Sequence, residues 1–214
     1  MMRFVAVFRH TYIQVNTGID VAPERLQGTL RGLRHKIGEV SARVFASGTF
    51  DAQKTAALVA TFFGSKVEEV ELSDFPRNKE EVMAVIDAMK AAAPVDLSVF
   101  VTHMEMTDTV VREYCRAVLD FSWTGKELDK AEAYLIDVQA RQVWRYKNSL
   151  KQSVREEIAA WLIKQGAISE AEDILVGLVE PTVVTLVENA ILTSRSINDL
   201  NVGIQLRRWQ RLLE

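Results

Sequence analysis

Strand and helix patterns alternate along the first part of the chain, and this alternation limits the fold more than any other feature. Residues 3–9 are almost continuously apolar, β-branched or aromatic, which is typical of a strand covered on both faces. Further strands are predicted at residues 44–46, 66–72 and 97–102, with helical patterns between them. This order predicts an α/β fold built on an open, mostly parallel sheet with helices on both faces.

The helical patterns define where the first domain ends. One helix begins at Pro23, just inside its first turn, and others are predicted at residues 80–93 and 107–119. Two short runs that read as an edge hairpin, 134–138 and 143–146, close the pattern. We therefore predict an α/β domain over residues 1–147 and a helical C-terminal extension over residues 148–214.

The extension shows apolar stripes at helical spacing. Its helices are predicted around Val154–Leu162 and over residues 171–178, 183–192 and 204–213. The last stripe carries arginines on its opposite face and needs an apolar cover. The extension either caps the α/β domain over its site or meets a second copy of the chain, and we favour a homodimer.

Charge and cysteine content exclude several classes of protein. Lys and Arg number 26 against 29 Asp and Glu, giving a net charge of −3, so we expect neither a nucleic acid nor a membrane as partner. The single cysteine, Cys115, cannot form an internal disulfide, and we expect it to be buried in a cytoplasmic protein. The apolar run at residues 4–8 is shorter than a signal-peptide core. No metal or other cofactor is expected.

Polar side chains follow the predicted strands at their carboxyl ends, where open α/β sheets bind ligands. Arg9 and His10 end the first strand, Ser47 follows the second, and His103 follows the fourth. Such a set suits phosphoryl transfer, in which an imidazole attacks phosphorus while cations bind the phosphoryl oxygens. A nearby carboxyl group would then protonate the leaving oxygen.

The residues at these strand ends resemble the motifs of a known protein superfamily. Phe8-Arg9-His10-Thr11 resembles the Arg-His-Gly signature of the histidine phosphatase superfamily, which includes the phosphoglycerate mutase-like proteins. The stretches 45–56 and 101–104 are similar to the family's Ser-Pro, Arg-Ala and Thr-Ala pattern and to its Ser-His-Gly, and residues 20–25 resemble its segment before the first helix. The resemblance covers about residues 3–147.

The resemblance implies a role for each matched residue. His10 would be the phosphorylated nucleophile, with Arg9 and His103 in the phosphate pocket. The family's second pocket arginine falls on Asp51 in this chain. Lys54 lies three residues later on the same helix face and is a candidate to supply the positive charge in its place. The general acid is either Asp74, where some branches of the family place their acid, or Glu105, two residues past His103.

Three positions depart from the family's pattern. Thr11 and Met104 stand where the family has glycine, and each adds a Cβ that restricts the backbone. Asp51 stands where the family has its second pocket arginine. That reversal changes the interaction with each phosphate charge by about 8 kcal/mol at ~4 Å and an effective dielectric near ~20.

Two functions remain open. The first is a phosphatase that hydrolyses phosphomonoesters, on small molecules or phosphoproteins, through a phosphohistidine at His10. The second is a catalytically degenerate member that serves as a phosphate-binding or protein-interaction module, which the substitutions at residues 11, 51 and 104 favour.

Overall fold

A computed structural model describes residues 3–11, 13–14, 19–20, 23–68, 78–91, 95–197 and 200–214. The strands are β1 (Phe4–Arg9), β2 (Ile13–Gln14), β3 (Ile19–Asp20), β4 (Ala42–Ala46), β5 (Leu97–Thr102), β6 (Ala133–Asp137), β7 (Gln142–Tyr146) and β8 (Leu178–Val179). The helices are α1 (Pro23–Ile37), α2 (Phe50–Phe62), α3 (Lys79–Lys90), α4 (Met104–Val118), α5 (Gln152–Lys164), α6 (Ile168–Leu175), α7 (Pro181–Ile197) and α8 (Leu200–Leu213).

The main sheet has six strands in the order β4-β5-β1-β6-β7-β8. Strands β4, β5 and β1 are parallel, and the remaining three pair antiparallel with their neighbours. Arg9 lies in register with Thr102, so the carboxyl ends of β1 and β5 meet at one edge. The predicted open α/β architecture is confirmed, and the sheet is mixed.

Helices cover both faces of the sheet because alternate side chains of a strand point to opposite sides. Phe4, Ala6 and Phe8 of β1 pack in a buried cluster with residues of α1 and α2. Val5 and Val7 pack in a second cluster with residues of α3 and α4. The nearly continuous apolar run of β1 follows from this burial on both faces.

Several predicted helices differ from the structure at their ends, as α4 does by beginning at Met104, and two predicted elements need separate comment. The helix predicted over 171–178 is wrong at its end: α6 stops at Leu175, and Leu178 lies in β8, paired with Tyr146. Gly177 has φ +88°, a left-handed conformation that ends helices and turns the chain toward the sheet. Of the strand predicted at 66–72, Val67 bridges Val44, and residues 69–72 lie outside the described part.

The extension has its own buried core and is joined to the sheet. Its last stripe is covered within the chain, since Leu206, Trp209 and Leu213 are buried among residues of α5 and α7. The strand β8 adds to the edge of the sheet opposite β4. Homodimerisation and the boundary at residue 147 stay predictions. Among the described helices, none is long and apolar enough to cross a membrane.

Candidate functional site

The two histidines meet at the carboxyl edge of the parallel strands. His10 directly follows β1, and its backbone N–H donates to the Thr102 carbonyl at 2.9 Å. His103 directly follows β5 and precedes α4. Their ring centroids lie 4.3 Å apart. Parallel pairing of β1 with β5 therefore brings together residues that are 93 positions apart in the sequence.

A backbone carbonyl sets the tautomer of His10. The Nδ1 atom lies 2.7 Å from the carbonyl oxygen of Thr11, and the residue is only 9% exposed. A carbonyl oxygen accepts hydrogen bonds and cannot donate them, so Nδ1 carries the proton. In the neutral ring, Nε2 then holds the lone pair. Nε2 is the atom that can act as a nucleophile or accept a proton.

His103 faces that lone pair. Its Nδ1 lies 3.1 Å from Nε2 of His10, and its Nε2 lies 2.9 Å from the Thr49 hydroxyl. With both rings neutral, the Thr49 hydroxyl donates to His103, and the Nδ1–H of His103 donates to His10. Thr49 is the N-cap of α2 and makes no side-chain capping bond. Its hydroxyl forms a hydrogen bond with His103 instead of with the backbone N–H groups of the helix.

The surroundings of His103 favour its neutral form. Burial lowers the pKa of His103, and electrostatic interactions with His10 and Arg9 lower it further, against the opposing effect of Asp51 and Glu105. The unmodified side chain has a pKa of about 6.5. His103 is therefore a neutral donor near pH 7.

Asp51 lies in the first turn of α2, close to His10. Its nearest approach is to Nδ1, with Oδ2 3.8 Å away, and its side chain is 28% exposed. Thr55 fixes this turn, because its hydroxyl donates to the Asp51 carbonyl at 2.8 Å and accepts from the Thr11 N–H at 3.0 Å. Thr11 is fully buried, and its N–H is the one bonded to Thr55 of α2.

Arg9 is the last residue of β1 and directly precedes His10. Its Nη1 donates to the backbone carbonyl of Leu128, while its Nε is buried with no hydrogen-bond partner. Thr102 lies in register with Arg9 on β5, and Ser47 follows β4 on the other side of β5. The buried hydroxyls of both residues also lack a partner in the described structure. This row is hydrogen-bonding capacity that the folded chain does not use.

The remaining sequence candidates are Lys54, Glu105 and Asp74. Lys54 is exposed, with its Nζ 5.4 Å from the centre of the Phe50 ring. Glu105 is exposed in the first turn of α4, near enough to raise the pKa of His103. Asp74 lies outside the described residues. The phosphate-binding and acid roles of these three residues stay predictions.

Sequence reasoning did not assign functions to Thr49 and Thr55, although both lie beside the histidines. One signal was available: Thr55 is four residues after Asp51, so the two share a helix face that begins at the sheet edge. In the parts of the chain that the structure describes, no three His, Cys, Asp or Glu side chains group as metal ligands.

No protein-family model matches this chain, and no curated protein matches it. Among solved structures it is similar to a phosphoglycerate mutase from Plasmodium falciparum, at 14% identity and a TM-score of 0.38, over 64% of this chain and 84% of that one. It is also similar to a protein assigned as the phosphohistidine phosphatase SixA from Agrobacterium tumefaciens, at 12% identity and a TM-score of 0.43, over 66% and 94% of the two chains. A third is a phosphoserine phosphatase from Entamoeba histolytica, bound to 3-phosphoglyceric acid, at 14% identity and a TM-score of 0.38, over 63% and 90%.

All three belong to the histidine phosphatase superfamily. This is the superfamily that the motifs around His10 and His103 resemble. Because the identities and TM-scores are low, the chemistry of this chain is inferred from the geometry of its own residues.

Proposed function

We propose that this protein is a phosphatase that hydrolyses phosphomonoesters through a phosphohistidine on His10. The observation that carries the proposal is the 2.7 Å hydrogen bond from Nδ1 of His10 to the Thr11 carbonyl. It leaves a lone pair on Nε2 at the carboxyl edge of a parallel sheet, beside a second imidazole that donates hydrogen bonds. A neutral imidazole in this tautomer is a competent nucleophile at pH 7.

The reaction has two balanced steps. In the first, the lone pair on Nε2 of His10 forms a bond to phosphorus, the bond from phosphorus to the ester oxygen breaks, and the leaving oxygen takes a proton from the general acid, for which Asp74 and Glu105 are the candidates. In the second, water attacks phosphorus and returns a proton to that acid, the N–P bond breaks, and inorganic phosphate leaves with the return of neutral His10. For phosphorus to reach Nε2, His103 must turn its Nδ1–H from His10 to a phosphoryl oxygen.

Asp51 favours a second candidate, a degenerate member that binds phosphate or a protein partner without turnover. A carboxylate takes the place of the family's second arginine and lies 3.8 Å from a ring atom of His10. Lys54, the candidate replacement cation, stacks on Phe50 at the surface. If Asp51 repels the substrate, phosphatase activity is absent in the wild type and present in Asp51→Arg.

The test is hydrolysis of p-nitrophenyl phosphate by the wild type, His10→Asn and His35→Asn. His35 is an exposed histidine on α1, so its replacement is the matched control. We expect turnover by the wild type and the control, and background rates for His10→Asn. Quenching turnover in alkaline denaturant should trap a phosphoryl group on the wild type and none on His10→Asn, and later acid treatment should release it. A wild type with no turnover and no trapped phosphate contradicts the phosphatase proposal.

A further inference from the structure

Asp51 reverses the charge that the resemblance implies at its position, yet the structure places its carboxylate nearest the atom of His10 that does not react. The closest contact runs from Oδ2 to Nδ1, at 3.8 Å. Nδ1 is the protonated nitrogen, and Nε2, which holds the lone pair, points to His103. The negative charge therefore approaches the protonated nitrogen of His10 and not the nitrogen that holds the lone pair.

Two hydrogen bonds of Thr55 hold the turn that carries Asp51. It lies in the first turn of α2, directly after the extended residues that lead from β4. Thr55 bonds to its backbone carbonyl, and the same Thr55 hydroxyl accepts the N–H of Thr11, the residue after His10. One buried threonine thus connects the turn that carries Asp51 to the segment that carries the nucleophile.

We propose that Asp51 is a positioning residue for His10, which stabilises the positive charge that appears on the ring when Nε2 bonds to phosphorus. This inference rests on the phosphatase function proposed above. Attack by the neutral ring produces a phosphorylated imidazolium that keeps its proton on Nδ1. The Thr11 carbonyl accepts that proton in a hydrogen bond, and the Asp51 carboxylate supplies the opposite charge. The substitution of the arginine then assists the first step instead of blocking it.

The charges around the pair come from three elements. Arg9 on β1, Asp51 on α2 and Glu105 on α4 all act on His103. Asp51 differs from Glu105 because it also approaches the nucleophile itself. If Asp51 stabilises the charged ring, neutralising its carboxylate lowers the rate of phosphoryl transfer. If Asp51 repels the substrate, neutralising it raises that rate.

The experiment uses Asp51→Asn, which keeps the shape and removes the charge, with Asp51→Glu and Asp87→Asn beside it. Asp87 is an exposed acid on α3 and is the matched control. We expect kcat for p-nitrophenyl phosphate to fall at least about tenfold in Asp51→Asn, with KM unchanged or lower, because an opposite charge at this range favours the charged ring by about tenfold or more. Asp51→Glu should recover part of the loss, and Asp87→Asn should match the wild type.

Two anions extend the test to binding. Vanadate forms a bond to a histidine nitrogen and places positive charge on the ring, so its affinity should fall about tenfold in Asp51→Asn. Inorganic phosphate binds without that bond, so its affinity should change less than about threefold. A rise in kcat/KM or a tenfold gain in phosphate affinity in Asp51→Asn overturns the inference and assigns Asp51 to repulsion.

A further readout separates this inference from the proposed function. The ring resonances of His103 can be titrated by NMR in protein that shows no turnover, and the Asp51 carboxylate raises the pKa of His103. We expect this pKa to fall in Asp51→Asn and to stay at the wild-type value in Asp87→Asn. If the wild type is inactive but this shift is present, the phosphatase proposal fails and the coupling of Asp51 to the pair stands. No shift overturns the coupling itself.

Discussion

Replacing Lys36 by methionine should strongly destabilise the contact between the extension and the α/β domain. The Nζ atom of Lys36, on α1, lies 2.5 Å from Asp173 and 2.7 Å from Glu180. The two acidic side chains are only 5% and 12% exposed, and the ammonium lies 4.6 Å from the centre of the Trp144 ring. Methionine keeps most of the volume of the lysine stem but leaves two buried carboxylates side by side.

The expected cost follows from that burial. Removing one partner of a buried ion pair typically costs about 3 to 5 kcal/mol in the free energy of unfolding, because an uncompensated charge remains. Lys90→Met is the matched control: its ammonium lies 3.8 Å from Asp87, and the two side chains are 48% and 66% exposed. An exposed pair of this kind contributes about 0 to 1 kcal/mol.

The cost should also depend on pH. Burial raises the pKa of Asp173 to about 6, even though Lys36 opposes the rise. A carboxyl whose pKa is higher in the folded than in the unfolded state loses stability as pH rises through the folded pKa. Without Lys36 the pKa of Asp173 rises further. In acid the Asp173 carboxyl is then protonated, and the variant no longer contains that buried negative charge. The destabilisation should therefore be smaller near pH ~5 than near pH ~8.

The assay is urea unfolding of the wild type, Lys36→Met and Lys90→Met at both pH values. Two results would refute the reasoning about Lys36. One is equal destabilisation by the two substitutions, which would mean that burial of the cluster has no energetic effect. The other is a cost for Lys36→Met that does not change with pH, which would mean that Asp173 does not take up a proton in the variant.

Three further predictions concern other parts of the molecule. The lowered pKa of His103 means that its contribution to stability is present above pH ~6.5 and is lost as pH falls below it, so NMR titration should give a midpoint under ~6.5 and a value above it would contradict the effect of burial. Gly32→Ala should destabilise the fold by about 1 to 3 kcal/mol in urea, because its Cβ would lie 2.1 Å from the buried ring of Tyr146; an unchanged midpoint would show that the ring can move. Burial raises the pKa of Cys115 to about 12, so its thiol should react with a disulfide reagent only in denaturant, and fast reaction in the native protein would disprove its burial.

Much of the fold could be predicted from the sequence, because its signals are local. Strand β5 has the predicted bounds. The strands β6 and β7 of the hairpin differ from the prediction by one residue at three of their four ends. The end of α6 could not be placed, since Leu178 reads equally well as the last residue of a helical stripe or as the start of a strand. Leu178 lies in a strand because β7 has a free edge once the sheet has formed, and β8 pairs with that edge.

The candidate site divides in the same way. The placement of His10 and His103 at strand ends could be read from the points where apolar runs stop. The side of His10 on which Asp51 lies could not, because three residues of loop and the start of α2 separate β4 from the carboxylate. The bond between Thr49 and His103 could not be predicted either, because the hydroxyl of an N-cap threonine ordinarily bonds to the backbone N–H groups of its helix.

By itself the sequence determined the order of strands and helices and the residues that end each strand, because periodicity and turn chemistry act over a few neighbouring residues. Only the tertiary structure decided which nitrogen of His10 carries the proton, on which side of the ring Asp51 lies, and that Lys36 joins the extension to α1. Each of these depends on contacts between 2.5 and 3.8 Å. At that range a shift of one ångström makes or breaks a hydrogen bond, and no pattern in the sequence specifies a position so closely.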